Sequence, residues 1–550
     1  MHQPFYRDTQ SKQYALPWVY LHAIKEYTDM AAILDSIPGA RAVVNFVPSL
    51  TIQIADYADR IQHWLNGTGL MPDPLLTALA AQPGTLDAKQ KSYLLRQCFK
   101  LQHQNNLHRY APYSRLWQLA EHCGEQEATE YLDEQFYFDL VTWYHLAWLA
   151  ESVRQKHAVA KTLIQKAGQF NFDDRRTLIG LIAGLLQAIP ERYRKLAANK
   201  KIELSTTPYA HPILPLQLDF ASAHETLPEA NIPQHSYPDG RSRSMEHIAL
   251  AKQNHSMTFG SDARGCWPAE GAISAATVEL LDEAGFDWCA SGEGVLHHSL
   301  GYNLREKNRR TALYQPWTPN GSRHIRCFFR DDHLSDMIGF EYQHWDTEDA
   351  VNNFIHQLGE IKEDAATLSN PVVSIIMDGE NAWEHYHHNG LPFLGLLYQR
   401  IAAHPDFDLT TFSDYLAANT AAAPLSRLVA GSWVHGNLAT WIGDPAKTRA
   451  WELLIAAKEH YDRALAAKRL SPDQQSAATE QLRICEGSDW FWWFGDYNPG
   501  ATVKDFDQLY RCHLGRLYEL LGETAPETLD DRISSGDGQA EGGGAMQRGY

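Results

Sequence analysis

Three carboxylates stand where an α/β chain most readily assembles chemistry, just beyond short apolar runs: Glu270, Glu293 and Asp378. Asp378 closes Val372-Val373-Ser374-Ile375-Ile376-Met377, a nearly unbroken apolar stretch that reads as a strand buried on both faces. Glu293 follows a strand pattern at Phe286–Ala290, and Glu270 follows Trp267-Pro268-Ala269. Two carboxyl groups flanking a glycosidic bond, one protonated and one ionised, are the apparatus of glycoside hydrolysis. Acidic residues at a barrel mouth also bind metals or cap helices, so spacing alone leaves these uses open.

Other chemistries fall away more easily. The chain has no glycine-rich phosphate loop ending in Lys-Ser/Thr and no GxSxG elbow, which removes nucleotide and serine-hydrolase readings. Among 26 histidines, His297-His298 and the group His385, His387, His388 are neighbours without HExxH spacing. Adjacent helix residues point in different directions, so hydrogen-bonding or solvated roles are expected and no metal site is assembled. Trp267, Trp383, Trp433 and Trp441 flank loops, where an indole serves either core packing or stacking on a sugar ring. A net charge of −19 argues against nucleic acid or an anionic membrane as partner, and a neutral substrate fits better. Seven cysteines without a CxxC pair read as free thiols in a reducing compartment. With no secretory signal pattern and no membrane-length apolar run, a cytoplasmic location is expected.

The elements that must position these groups alternate in type. Ala42–Val47, the start of Lys201–Leu216, Met257–Gly260, Phe286–Ala290, Ile325–Phe329, Ile338–Tyr342 and 372–377 read as strands. Helical patterns at Ser244–Gln253, Ala275–Ala284 and Ala350–Leu358 separate them, which predicts a parallel α/β sheet or barrel. From about 52 to 196 the pattern is helical throughout, an insertion placed to lid the site. Beyond 421 it is helical again, at Arg449–Leu465, Pro472–Ile484 and Phe506–Leu521. The expected division is a barrel at 1–420 carrying the insertion, a helical domain at 421–530, and a disordered Gly/Ser/Asp-rich tail at 531–550.

Five motifs then fall in order: His2-Gln3-Pro4, IELSTTPYAHPILPL (Ile202–Leu216), Trp267-Pro268-Ala269-Glu270, MDGEN (Met377–Asn381) and GSWVHGNLATWIGDPAKTRAWELL (Gly431–Leu454). Together they resemble glycoside hydrolase family 57, most closely its bacterial amylase- or mannosidase-like members. The resemblance implies a distorted TIM-like barrel of seven β/α units followed by a helical domain. It implies a retaining hydrolase or transglycosylase of α-glucans, of the amylase, 4-α-glucanotransferase or branching-enzyme kind, needing no cofactor. Matched by position, Glu270 is the nucleophile and Asp378 the general acid/base. His2 and His211 are sugar-contacting histidines, Glu203 a further polar contact, and Trp433 and His435 close the site from the helical part. Trp267 joins the substrate-binding set, and Glu293, the rival carboxylate, binds substrate or supports the site. The alternatives are an α-mannosidase- or α-galactosidase-like hydrolase, and a non-catalytic glucan-binding relative, which the presence of both carboxylates disfavours. In one respect the chain departs from the family: the HQP motif there follows a first strand, whereas only Met1 precedes it here, so an open sheet edge and a loosely held His2 are expected.

Overall fold

The computed structural model describes residues 1–101, 103–304, 306, 309–536 and 538. Seven strands form one sheet: β1 (Ala42–Phe46), β2 (Ile202–Thr206), β3 (Gly265–Cys266), β4 (Trp288–Ser291), β5 (Trp317–Pro319), β6 (Arg326–Phe329) and β7 (Ala423–Leu425). Their order is β1-β2-β3-β4-β6-β5-β7. β1, β2, β3, β4 and β6 are successive parallel neighbours, and all but the two-residue β3 carry β-branched or aromatic residues that suit strands. β5 turns back antiparallel on β6, and β7 runs beside β5 as a side extension.

The barrel interior is filled by Trp288, Ala290 and Phe328, with Val43, Val372 and Ile376 packed against them. Trp288 crosses over β3 so closely that a Cβ on Gly265 would lie 1.8 Å from its indole, which requires glycine there. On the other side of the sheet, Cys266, Cys289 and Cys327 join Leu281, Phe286 and Phe329 in a separate apolar layer.

The apolar run before Asp378 is extended and parallel to β6, but it is bridged to β6 at Arg330–Ser374 alone. Asp331 N donates to Ser374 O at 2.8 Å and Val372 N to Tyr314 O at 2.9 Å. Only Ser374 within 372–377 is buried; the rest is half-buried, not buried on both faces as the composition suggests, because its second edge faces a cavity. Six parallel elements therefore stand in line among the described residues. Beside β1 lies Met1, whose amino group donates to Asn45 O at 2.8 Å and whose carbonyl accepts from Val47 N at 3.2 Å.

Between β1 and β2 the described residues are helical, from Pro48–Leu65 to Phe172–Ala198, as the pattern predicts. The last of these starts with a reciprocal cap between Asn171 and Asp174. Two expected strands are helical instead. Met257–Gly260 ends the helix Gly240–Phe259, and Ile338–Tyr342 lies in the π-helical turn Met337–Glu341 and the 3₁₀ turn after it. Apolar runs this short carry no period that separates strand from helix. The C-terminal helices span Pro445–Ala466, Pro472–Cys485 and Gly500–Leu520. The expected tail starts later than 531: Ile533 and Ser534 are buried, with Ile533 N donating to Asp507 Oδ1 at 2.7 Å. Residues 537 and 539–550 lie outside the described residues. No described helix is long and apolar enough to cross a membrane.

Candidate active site

The carboxyl ends of β1, β2 and β3 are tied together by side chains. Ser205 Oγ donates to Asn45 Oδ1 at 3.1 Å, Asn45 Nδ2 to Thr207 Oγ1 at 2.8 Å, and Thr207 Oγ1 to Trp267 O at 2.7 Å. This ladder fixes the chain as it leaves β3. Glu270 (φ +56°) and Gly271 (φ +59°) then both take left-handed conformations. For a glutamate that geometry costs on the order of 1–3 kcal/mol, and such strain collects at functional sites. At Gly271 no side chain would fit, since a Cβ would lie 2.7 Å from the Trp267 ring. The turn presents the Glu270 carboxylate to Trp433, whose Nε1 donates to Oε2 at 2.8 Å, and holds Oε1 3.9 Å from His211 Nε2. Trp433 stands edge-on to Trp267, ring centroids 5.3 Å apart.

Asp378 follows the extended segment beside β6 and accepts from Asn381 Nδ2 at 3.0 Å. Asp378 and Glu270 line one cavity of about 1600 Å³. Burial, then the charge of Glu380, push the Asp378 carboxyl up to about 6. Burial, then the charge of Asp378, push Glu270 well above the usual carboxylate range, while the Trp433 hydrogen bond pulls it back toward the ionised form. The larger upward push falls on Glu270, although the role implied for it requires a carboxylate. Both carboxyls are pushed toward the protonated form, and where a proton on the pair resides belongs to the pair rather than to either residue.

His2 is held firmly, contrary to the expectation from its place near the chain start. Its backbone N–H donates to Glu380 Oε1 at 3.0 Å, its Nε2 lies 2.7 Å from Asp489 Oδ1, and its ring stacks on His211 at 3.7 Å. His211, itself left-handed at φ +62°, has Nδ1 2.8 Å from Ser488 Oγ. Burial, the neighbouring His2 and the Met1 amino group drive its pKa well down, so it is a neutral imidazole beside Glu270. His2, His211 and Asp489 place one ligand atom each within 4.8 Å of one another. His2 Nε2 bonds to Asp489 and His211 Nδ1 to Ser488, while the buried His2 Nδ1 has no hydrogen-bond partner among the described residues.

Of the residues expected from sequence, Glu270, Asp378, His2, His211, Trp267 and Trp433 share this cavity. Glu203, Glu293 and His435 are not in its wall. Glu203 sits near the start of β2, where its carboxylate accepts from Trp288 Nε1 at 2.7 Å and Ser413 N at 3.0 Å; it locks the barrel interior. Glu293 opens the helix Glu293–Leu300 behind the site, 3.5 Å from Arg310 Nη1; burial raises it to about 7 despite that cation. His435 is exposed on a left-handed turn whose Gly436 packs on Gly294. Sequence reasoning missed Glu380, Ser488 and Asp489. The last two open the aromatic run Asp489-Trp490-Phe491-Trp492-Trp493, a polar pair set among indoles between two helices, and that was the available signal. Trp492 and Trp493 also line the cavity, as do Trp18 from the N-terminal helices and Trp148 from the insertion.

The segment bearing Ser488 and Asp489 is anchored by Glu486. Its fully buried carboxylate accepts from Arg243 Nε at 2.8 Å, Arg243 Nη2 at 2.6 Å and Tyr237 OH at 2.6 Å, with His247 Nε2 at 2.7 Å. Burial alone would raise this carboxyl, yet the Arg243 guanidinium and these hydrogen bonds hold it well below the usual range. Glu486→Gln leaves Arg243 without its buried counter-charge and is expected to cost about 3–5 kcal/mol, read as a lowered Tm at pH 7. Because the folded pKa is depressed, the contribution exists above the ordinary carboxylate pKa and fades as pH falls below it. The gap between wild type and variant should therefore narrow in acid; equal Tm values at pH 7 would show that the network carries no stability.

Comparison with known proteins bears on the fold and the family. The solved structures similar to this chain include an α-amylase from Thermotoga maritima (13% identity, TM-score 0.56, covering 96% of this chain and 94% of that one). They also include a GH57 branching enzyme from Thermococcus kodakaraensis (12%, 0.58, 100% and 96%) and one from Pyrococcus horikoshii (15%, 0.57, 96% and 91%). At these identities the likeness establishes the fold. A search of curated proteins by sequence gave no match. The family model described as glycosyl hydrolase family 57 matches residues 1–424, which takes in β1 through β6 and both carboxylates, and the chain belongs to that family.

Proposed function

We propose that this family 57 enzyme acts on α-glucans with retention of configuration, through a glycosyl-enzyme on Glu270 with Asp378 as general acid/base. Membership of the family makes it a glycoside-active enzyme. Neighbours described as an α-amylase and branching enzymes support α-linked glucose as substrate. The observation that carries the mechanism is that Glu270, held by Trp433 Nε1, and Asp378 line one aromatic-lined cavity.

In the first displacement a Glu270 oxygen attacks the anomeric carbon while the Asp378 proton passes to the departing glycosidic oxygen. Trp433 Nε1–H holds the other Glu270 oxygen, so the nucleophile meets the sugar in one orientation. Asp378, now ionised, then takes a proton from water or from an acceptor hydroxyl, which attacks the glycosyl ester and restores the α-configuration. Neutral His211 and the His2–Asp489 pair offer hydrogen bonds to the ring hydroxyls beside the reacting carbon. The reading includes a cytoplasmic setting, resting on seven free thiols of which Cys289 and Cys327 lie 3.3 Å apart.

Maltoheptaose and amylose, incubated with the protein and resolved by chain length and linkage, test this reading. Shorter chains report hydrolysis, paired shorter and longer chains report transfer, and new α-1,6 linkages report branching. Inert α-glucans alongside cleaved α-mannosides or α-galactosides would overturn the substrate class. Activity should survive dialysis against EDTA; loss restored by Zn²⁺ would move the His2–His211–Asp489 group into the role of a metal site.

A further inference from the structure

Arg330 is the first residue beyond β6, and it is buried. Its backbone N–H donates to Ser291 O on β4 at 2.9 Å. Its guanidinium uses every edge: Nε donates to Ile376 O at 2.7 Å, Nη1 to Asp332 Oδ1 at 2.7 Å and Nη2 to Asp336 Oδ1 at 2.6 Å. Burial works against the charge, but Asp332 and Asp336 offset it and keep the group a cation. One flat face remains, and it lies over the Trp433 ring, Cζ 5.3 Å from the centroid. A planar fork can bond along its edges and stack on its face at once, whereas an ammonium cannot.

Two of these contacts lead to the two carboxylates. The segment 372–377 is bridged to β6 at Ser374, short of Asp378. Beyond that bridge Ile376 is held by side chains: its N–H donates to Ser335 Oγ at 3.2 Å, and its carbonyl accepts from Arg330 Nε. The guanidinium thus stands in for the next rung on the way to Asp378. On its other side, the indole under Arg330 donates Nε1–H to Glu270 Oε2 at 2.8 Å, and the Trp433 backbone N–H donates to Glu270 O at 3.2 Å. The end of β4 closes on this residue as well, since a Cβ on Gly292 would lie 2.5 Å from Trp433 Cα.

We propose that Arg330 is a positioning residue for the reaction: through Ile376 O and the Trp433 ring it sets the Asp378 and Glu270 carboxyl groups in place relative to each other. Its role rests on the assignments proposed for those two carboxylates, and Arg330 itself is not in the cavity wall. The two groups come from separate stretches of chain, and a misplacement of about 1 Å can cost about 10²-fold in rate. Loss of such a support falls on kcat and on both displacements alike. Substrate binding is spared, because His2 and His211 are held from elsewhere, by Asp489 and Ser488.

The test uses Arg330→Lys and the double variant Arg330→Gln/Asp336→Asn, which removes a buried cation and a buried anion together. Arg175→Lys is the control, a buried arginine of the insertion that likewise donates to backbone carbonyls, those of Leu79 and Ala81, away from the cavity. Both Arg330 proteins should lose about 10- to 10²-fold in kcat on maltoheptaose, with KM within about twofold of wild type. On aryl α-glucosides with acidic phenols, burst and steady state should slow together, and azide should restore neither. The acid limb of kcat/KM should move to higher pH. The Trp433 hydrogen bond favours ionised Glu270 against burial and the charges of Asp378, Asp489 and Glu380, and the His211 imidazole beside it is neutral, so a loosened bond makes the carboxylate harder to form. Arg175→Lys should lower Tm and leave kcat, KM and the pH profile as they are. Wild-type kinetics in a folded Arg330→Lys, beside a dead Glu270→Gln, overturns the proposal alone; normal turnover in Glu270→Gln overturns the assignment beneath it. A raised KM with kcat intact, the same kinetic loss in Arg175→Lys, or failure of both Arg330 proteins to fold also overturns it, since each would make Arg330 a support of binding or of the fold at large.

Discussion

Glu270→Gln is expected to abolish turnover while leaving the protein at least as stable as wild type. The amide keeps the shape and the contact with Trp433 Nε1 but cannot form a glycosyl ester, so kcat on maltoheptaose should fall by about 10⁴-fold or more, the scale seen when the nucleophile of a catalytic unit is removed. Stability should move the other way. The Glu270 carboxyl is raised by burial and by Asp378, so its ionisation in the folded protein costs stability once pH passes the ordinary carboxylate range. A neutral side chain removes that cost, and Tm at pH 7 should equal or exceed that of wild type. Azide adds a second discrimination. In Glu270→Ala it has room to attack the anomeric carbon once, and the glycosyl azide should carry inverted, β configuration. A Glu270→Gln protein that turns over normally, beside a dead Glu293→Gln protein, would transfer the role to Glu293. The structure speaks against that, since Glu293 lies behind the cavity wall with Arg310 as partner.

The two carboxylates proposed as the catalytic pair stood out in the sequence because each follows an apolar or aromatic stretch, whereas β3, which leads to Glu270, was not read: the strand expected there, Met257–Gly260, ends a helix. β1, β2, β4 and β6 are β-branched or aromatic runs, and polar residues stop them where the chemistry sits. The partners that complete the site were not legible, since they come from the far end of the chain. Asp489 meets His2 across 487 positions, and Ser488 meets His211 across 277. No local pattern encodes such a meeting; it depends on how the C-terminal helices dock through Glu486 and Arg243. Glu203 and Glu293 show the opposite error. Each carries the right residue type beside a strand, yet Glu203 is at the start of its strand and Glu293 turns into a helix, where the half-buried Arg310 guanidinium and the Asp332 N–H face its carboxylate. The segment 372–377 was read as fully buried from composition. Burial depends on what lies beside a strand, and here one neighbour is the cavity.

Asp378→Asn should split the two displacements by their need for a proton. Removing the acid slows departure of a poor leaving group such as a sugar hydroxyl, by about 10²–10⁴-fold on the usual scale of general acid–base catalysis. Aryl α-glucosides with acidic phenols leave unaided, so the glycosyl-enzyme should still form on them and appear as a burst. It should then persist, because Asn cannot deprotonate the incoming water. Azide needs no base, and it should restore release and yield an α-glycosyl azide, the net result of two displacements at one carbon. The α product here and the β product from Glu270→Ala together assign the two carboxylates without reference to which one holds the proton at rest. The pH profile supplies a further arm. Burial and Glu380 set Asp378 at about 6, so wild-type kcat/KM on natural glucans should decline on the alkaline side as the pair loses its last proton. With an aryl substrate whose leaving group needs no acid, Asp378→Asn should lose that alkaline decline in the burst phase. A burst that keeps the wild-type alkaline limb, or an azide adduct of β configuration from this variant, would show that Asp378 is not the proton donor.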